Sequence, residues 1–460
     1  FLRAWISDFT LILLDYDAFY HARIAGEIYQ GHHIPTWDAK ELGGIPHYYP
    51  PNYHILMVLG KYILPEWSFL TIGSILTVFF GVITTLFVYL IGRRFSENVG
   101  LVSALLYALT PMMVLRSGLW ARPTGLSMML AIMIVYLFLE AKKGNKYATP
   151  ALLVSLGYTF AHSSVLLVFS LVLATSIIAK DMYKTQTFLK IALVLLAAGA
   201  LYYYRVLPHL NFYVSQKGEY MPVIRPILEF LPSGDWAALA VALLFLGIFN
   251  LAFFPVVFHG IYEMLKTQRE LAIFSFISLF LVFFGANMFI LLNFTVTVAI
   301  AVSIFKILRL DKMPIAVLLL LMVALMDVTL LQNVHGEKKT IYADAMEEIL
   351  TDAPLTSENL VLSNDPNVGH AIPYYSKAGT FISDLTDTKQ YDKNRMIFDT
   401  IIDENTTPEE AIALMQENNI DHLLIIGESL PFMEKSKQNL VRVKEIERKD
   451  FRISLYRIKK

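Results

Sequence analysis

Between residues 67 and 332 the chain is dominated by apolar runs, most of them close to the length needed to cross a bilayer and several of them short. A helix rises about 1.5 Å per residue, so about 20 apolar residues cover the hydrocarbon layer. In lipid the backbone must satisfy its own hydrogen bonds, which makes such runs helices. The runs are 67–92, 99–115, 125–140, 150–161, 163–179, 188–204, 236–258, 271–293, 295–308 and 313–332. They predict an α-helical multi-span membrane protein of about ten transmembrane helices. Residues 53–65 are too short to cross and are expected to pack at the surface. Composition agrees: 56% of residues are hydrophobic and only 17% charged, against about 25% charged in soluble domains.

A net charge of -1 gives no basis for nucleic-acid binding. The chain has no cysteine, which excludes disulfides and thiolate metal sites. It starts at Phe1 rather than a methionine, so its true N-terminus is expected to be missing.

Basic residues set the orientation. Alternate connections hold Arg93 and Arg94; Lys142, Lys143 and Lys146; Lys180, Lys184 and Lys190; Lys266 and Arg269; and Lys306, Arg309 and Lys312. These are expected on the cytoplasmic side. The opposite, outer set comprises 15–66, 116–124, the turn at His162, 205–235, the turn near Asn293 and everything after 333. Counting 150–179 as two spans keeps this alternation intact.

From 333 the apolar runs shorten to strand length, as in Leu360-Val361-Leu362 and Leu423-Leu424-Ile425-Ile426. Thr407-Pro408-Glu409-Glu410 is a helix start. The division expected is therefore 1–332 as a transmembrane domain with its first outer loop at 15–66, and 333–460 as a small extracytoplasmic α/β domain.

The candidate chemistry crowds into that first loop, from Asp15-Tyr16-Asp17 through His21-Ala22-Arg23 to His47-Tyr48-Tyr49-Pro50-Pro51. Asp17, at the start of a helix near a partly dehydrated surface, is placed to accept a proton or hold a cation. His21 lies one turn on, on the same face. Asp15 and Asp17 are also the residue type that caps a helix. Five of the eleven histidines fall between 21 and 54. With Asp17, Asp38 or Glu41 they supply metal donors, yet their spacing matches no zinc pattern. Tyr48 and Tyr49 stiffen a Tyr-Pro turn that suits either the bilayer interface or the wall of a headgroup pocket. In the second outer loop Arg116 and Arg122 can grip phosphate or snorkel to lipid headgroups.

Asp15 to Arg23 and the later Tyr49-Pro50 resemble the GT-C superfamily of integral-membrane glycosyltransferases, and most closely the catalytic subunit of oligosaccharyltransferase and its archaeal relatives. Asp17, Phe19, Tyr20, His21 and Arg23 fill the positions of that family's first acidic motif. The resemblance implies a GT-C-like bundle in which Asp17 is the essential acid. Two features depart from oligosaccharyltransferase: no acid follows Arg116-Ser117 before Gly125, and no Trp-Trp-Asp motif is present. The pattern is closer to GT-C enzymes that use a polyprenyl-phosphate sugar and commonly need no metal.

The function expected is thus an inverting transfer of sugar from a polyprenyl-phosphate donor to a lipid, glycan or protein acceptor at the outer membrane face. Asp17 is the base, with Asp15 beside it in the catalytic set. His21, Arg23, Trp37, His47, Tyr48, Tyr49, Arg116 and Arg122 form the substrate-binding set. No cofactor is expected to be required; Mn2+ or Mg2+ is the alternative, with Asp17 as its ligand. Two rivals stand beside this reading. One is glycan transfer to protein asparagine; the other is a lipid-glycan transporter or scaffold. The second predicts intramembrane charge along a route, of which Asp327 is the main instance.

Overall fold

A computed structural model describes residues 17–38, 40, 45–47, 49–109, 121–141, 145–162, 164–204, 254–281, 286–307, 338–382, 391–403, 405–427, 430, 432–433, 438–448 and 451–459. Asp15, Tyr48, Arg116, Asp327 and the expected spans at 236–253 and 313–332 lie outside the described residues.

Helix α1 (Asp17–Gly31) opens the described chain. A two-strand ribbon follows, β1 (Trp37–Asp38) antiparallel to β2 (Ile45–Pro46), and then α2 (Asn52–Ile63). The apolar helices come next: α3 (Phe69–Gly92), α4 (Glu97–Leu109), α5 (Pro123–Glu140), α6 (Ala148–Thr159), α7 (Val165–Ile178) and α8 (Met182–Tyr203). After them come α9 (Phe254–Thr267), α10 (Arg269–Leu281) and α11 (Ala286–Ile307). Among the described residues α3, α5 and α8 are long and apolar enough to cross a membrane, and three shorter apolar helices accompany them. As the sequence suggests, α6 and α7 are separate helices. The turn expected near Asn293 is not formed, because α11 runs unbroken from Ala286 to Ile307. One polar side chain in an apolar stretch lowers helix propensity by only a few tenths of a kcal/mol, too little to stop it.

α3 shows why this is a membrane fold. Its outward stripe is Ile75, Phe79, Val82 and Leu86, each about half exposed. Its buried side carries Gly73, Ser74, Thr77, Gly81 and Thr84. Large apolar groups outside and small or hydroxyl groups inside invert the pattern of a soluble helix. The buried hydroxyls of Ser74, Thr77 and Thr84 donate to the carbonyls four residues back, so none is left unmet. α5 is mostly buried and forms the centre of the bundle.

The C-terminal region begins with α12 (Lys338–Asp352) and β3 (Leu360–Ser363), followed by α13 (Ala371–Tyr375) and β4 (Gly379–Thr380). Then come α14 (Tyr391–Ile402), α15 (Pro408–Glu417), β5 (His422–Ile426), β6 (Leu440–Arg448) and β7 (Phe451–Ile458). The five strands pair in the order β4-β3-β5-β7-β6. β3 runs parallel to both neighbours, whereas β5-β7 and β6-β7 are antiparallel. One continuous apolar cluster runs from α1 and the bundle to Val361, Ile372, Leu424 and Leu455 of the sheet region. A second cluster, with Phe398, Ile401 and Met415 of α14 and α15, packs around Leu362 and Leu423.

Candidate active site

In its first two turns α1 is buried on nearly every side, although the sequence there includes Tyr20, His21 and Arg23. Polar groups in such a setting need internal partners. Tyr20 pairs its hydroxyl with His47 Nδ1 at 2.9 Å, and His21 Nδ1 meets His54 Nε2 at 3.0 Å. Arg23 donates from Nη1 to Asp38 Oδ1 at 3.0 Å and to Glu27 Oε1 at 2.9 Å, and from Nη2 to Asp38 Oδ2. The short loop from β2 to α2 thus wraps the helix. Tyr49 stacks edge-on against His21 at 4.9 Å, and its carbonyl accepts from Tyr202 of α8 at 2.8 Å. At the start of α2, Asn52 donates to Phe160 and Gly157 carbonyls at the end of α6.

Asp17 sits at the head of this helix, and Arg122 Nη1 reaches its Oδ2 at 2.9 Å. Arg122 takes an extended backbone just before α5, with Pro123 in the first turn fixing the entry. The central helix of the bundle therefore begins at the residue that faces Asp17. Both side chains keep partial exposure, 21% for Asp17 and 28% for Arg122, so solvent or substrate can reach the pair.

Burial pushes His21 well below the ordinary histidine range, and the neighbouring His54, Arg122, His47 and His370 further disfavour its protonation. Burial, then His47, does the same to His54. These rings are neutral at pH 7. For Asp38, burial alone would favour the neutral acid. The Arg23 guanidinium and the Lys40 N–H outweigh that and hold it below the carboxylate norm.

The structure brings Asp17, His21, Arg23, His47, Tyr49 and Arg122 into one neighbourhood. Trp37 lies on β1 and is 39% exposed. His32 and His33 are exposed beyond this cluster, and His33 bonds the Gly31 carbonyl. His162 is bonded to Ser164 at 2.8 Å. Among the described residues no three His, Asp or Glu side chains converge as a metal site. Asp17 Oδ2 faces the Arg122 guanidinium.

Sequence reasoning missed the contribution from the tail. The His370 ring lies 6.0 Å from that of Tyr20, and the Phe19 ring packs against those of Tyr374 and Tyr375 at 5.4 and 5.5 Å. Burial, with Glu347 adding to it, pushes the Tyr374 hydroxyl up to about 12. No spacing rule links residue 19 to residue 374; only the fold does.

Residues 50–210 match the family described as dolichyl-phosphate-mannose-protein mannosyltransferase. No curated protein sequence matches the chain. Three solved structures are similar in fold. The oligosaccharyltransferase AglB of Archaeoglobus fulgidus, in complex with an inhibitory peptide and a dolichol-phosphate, superposes with a TM-score of 0.61 at 14% identity. That match covers 92% of this chain and 68% of AglB, so the chain spans about two thirds of its length. ArnT of Cupriavidus metallidurans, bound to undecaprenyl phosphate, gives 0.60 at 10% identity, covering 99% of this chain and 97% of ArnT. The mycobacterial arabinofuranosyltransferase AftD gives 0.54 at 12%, covering 99% of this chain and 41% of AftD. The chain shares the fold of these three proteins.

Proposed function

We propose that the protein is an inverting glycosyltransferase that takes a sugar from a polyprenyl-phosphate carrier and passes it to a lipid, glycan or protein acceptor. The observation that carries this reading is the Asp17–Arg122 pair at the head of α1, a base and a phosphate-binding cation in direct contact at 2.9 Å. It is supported by the family match over residues 50–210 and by the polyprenyl phosphates held by AglB and ArnT.

The acceptor O–H bond breaks and its proton passes to the Asp17 carboxylate. The acceptor oxygen bonds to the anomeric carbon from the face opposite the phosphate. The carbon–oxygen bond to the phosphate breaks, and its electron pair leaves with the carrier phosphate. A positioned base of this kind contributes about 10²–10⁴ in rate. Arg122, with Arg116, stabilises the charge growing on the phosphate. In the resting protein Arg122 occupies Asp17 Oδ2. A phosphate competing for that guanidinium frees the carboxylate, so the base is released as the donor arrives. Asp15, His21 and His47 orient sugar or acceptor, and Trp37, Tyr48 and Tyr49 line the pocket. Arg23, whose Nη1 bonds Asp38 and Glu27, is a further member of the proposed substrate set.

The proposed setting is a bundle of about ten spans, with the first loop and the C-terminal α/β domain on the outer face. Purified protein offered radiolabelled polyprenyl-phosphate sugar or nucleotide sugar, with total membrane lipid and protein as acceptors, tests this. Transfer is expected from the polyprenyl donor alone, surviving EDTA, with the anomeric configuration inverted. Transfer from the nucleotide sugar, or retained configuration, overturns it. EDTA-sensitive labelling of protein moves the assignment to an oligosaccharyltransferase-like reaction.

A further inference from the structure

Arg23 and Asp38 are both buried, at 7% and 1% exposure, yet neither touches the Asp17–Arg122 pair. Arg23 lies six residues beyond Asp17, turned about 240° around the helix from it at about 100° per residue. Asp38 also accepts from the Lys40 N–H at 3.0 Å. The Lys40 carbonyl in turn accepts from the Thr380 N–H at 3.0 Å, and Lys40 Nζ donates to the Lys377 carbonyl at 2.9 Å. Thr380 belongs to β4, an edge strand of the C-terminal sheet, so the first loop adds its main chain to that edge. In the other direction Asp38 pairs with Ile45 across the β1-β2 ribbon. Two residues on, His47 donates its N–H to the Thr36 carbonyl at 3.0 Å and meets Tyr20 through its ring.

The geometry points to Asp38 as a positioning residue. The Arg23–Asp38 pair and the Lys40–Thr380 bond set the register of the first loop on the C-terminal sheet, and so the placement of His47 and Tyr49 against α1. The inference rests on the transfer reaction proposed above for the meaning of that placement. A buried ion pair is a poor device for stability alone, since desolvation offsets most of its Coulomb gain, but it specifies one geometry among several. The second function fits here because the pair joins α1 to the ribbon that carries His47.

Asp38→Ala is expected to lower kcat about 100-fold, the cost of displacing a positioned group by about 1 Å, with KM little changed. Asp38→Asn, which keeps the shape, is expected to lose about tenfold less activity. Amide exchange at His47, read with no substrate present, is expected to quicken in Asp38→Ala and much less in Asp38→Asn. Unchanged kcat in Asp38→Ala overturns the inference, and so does His47 exchange that stays at the wild-type rate. The exchange measurement decides the positioning role even if no donor supports transfer in wild type.

Discussion

Asp17 and Arg122 are each more than a fifth exposed, and an ion pair in that setting contributes about 1 kcal/mol or less to folding. Arg122→Ala should therefore leave the melting temperature within a few degrees while transfer falls by about 10²-fold. Reversing the pair, with Asp17→Arg and Arg122→Asp together, keeps the attraction and should keep the fold, yet leave no base at the head of α1. A reversed pair with wild-type turnover would reduce Asp17 to a structural role. The neighbouring histidines make a separate claim, on pH. His21 and His54 have folded-state pKa values depressed below 6.5, first by burial. The unfolded chain therefore takes up protons that the folded one refuses. Stability is full above about pH 6.5 and is lost as pH falls from there towards the depressed values. Denaturant midpoints at pH 7.5 and 5.5 should differ accordingly, and His54→Gln should flatten the slope. An unchanged midpoint would mean the rings are solvated.

At the scale of elements, small residues rather than large ones set how closely the helices approach. A Cβ on Gly260 of α9 would collide with the Ala299 carbonyl of α11, and backbone cannot give way as a side-chain tip can. Gly260→Val should lower detergent-solubilised thermal stability by several degrees; a neutral result would place α9 and α11 further apart. On α3 the two faces should respond in opposite ways. Thr77 is buried and bonds only its own helix, so Thr77→Val should be nearly silent. Phe79 is 56% exposed on the apolar stripe. Phe79→Arg should cost about 2.5–3.5 kcal/mol of insertion, visible as reduced membrane yield.

Over the whole molecule, apolar length and loop charge made the helices legible. α3, α5 and α8 are read from composition, because a bilayer leaves the backbone no alternative. The place of Asp17 at the start of a helix was legible too, since Asp is a residue type favoured there. Its partner was only half legible: Arg122 was recognisable as a phosphate-binding candidate, but its contact with Asp17 depends on how α1 meets α5. Arg23 was legible as a charge close to the site, but its pairing with Asp38 was not, because sequence displays a charge without its partner. Phe19 against Tyr374 and Tyr375, and Lys40 on the edge of β4, are joins between segments more than 300 residues apart, and no periodicity reports them. These contacts bind the first loop to the tail within one apolar cluster. The most direct test of the account is the rate of sugar transfer from a polyprenyl-phosphate donor by Asp17→Asn against wild type, at equal folded protein. A fall of about 10²–10⁴ is expected, whereas turnover at the wild-type rate would contradict the assignment of Asp17 as the base.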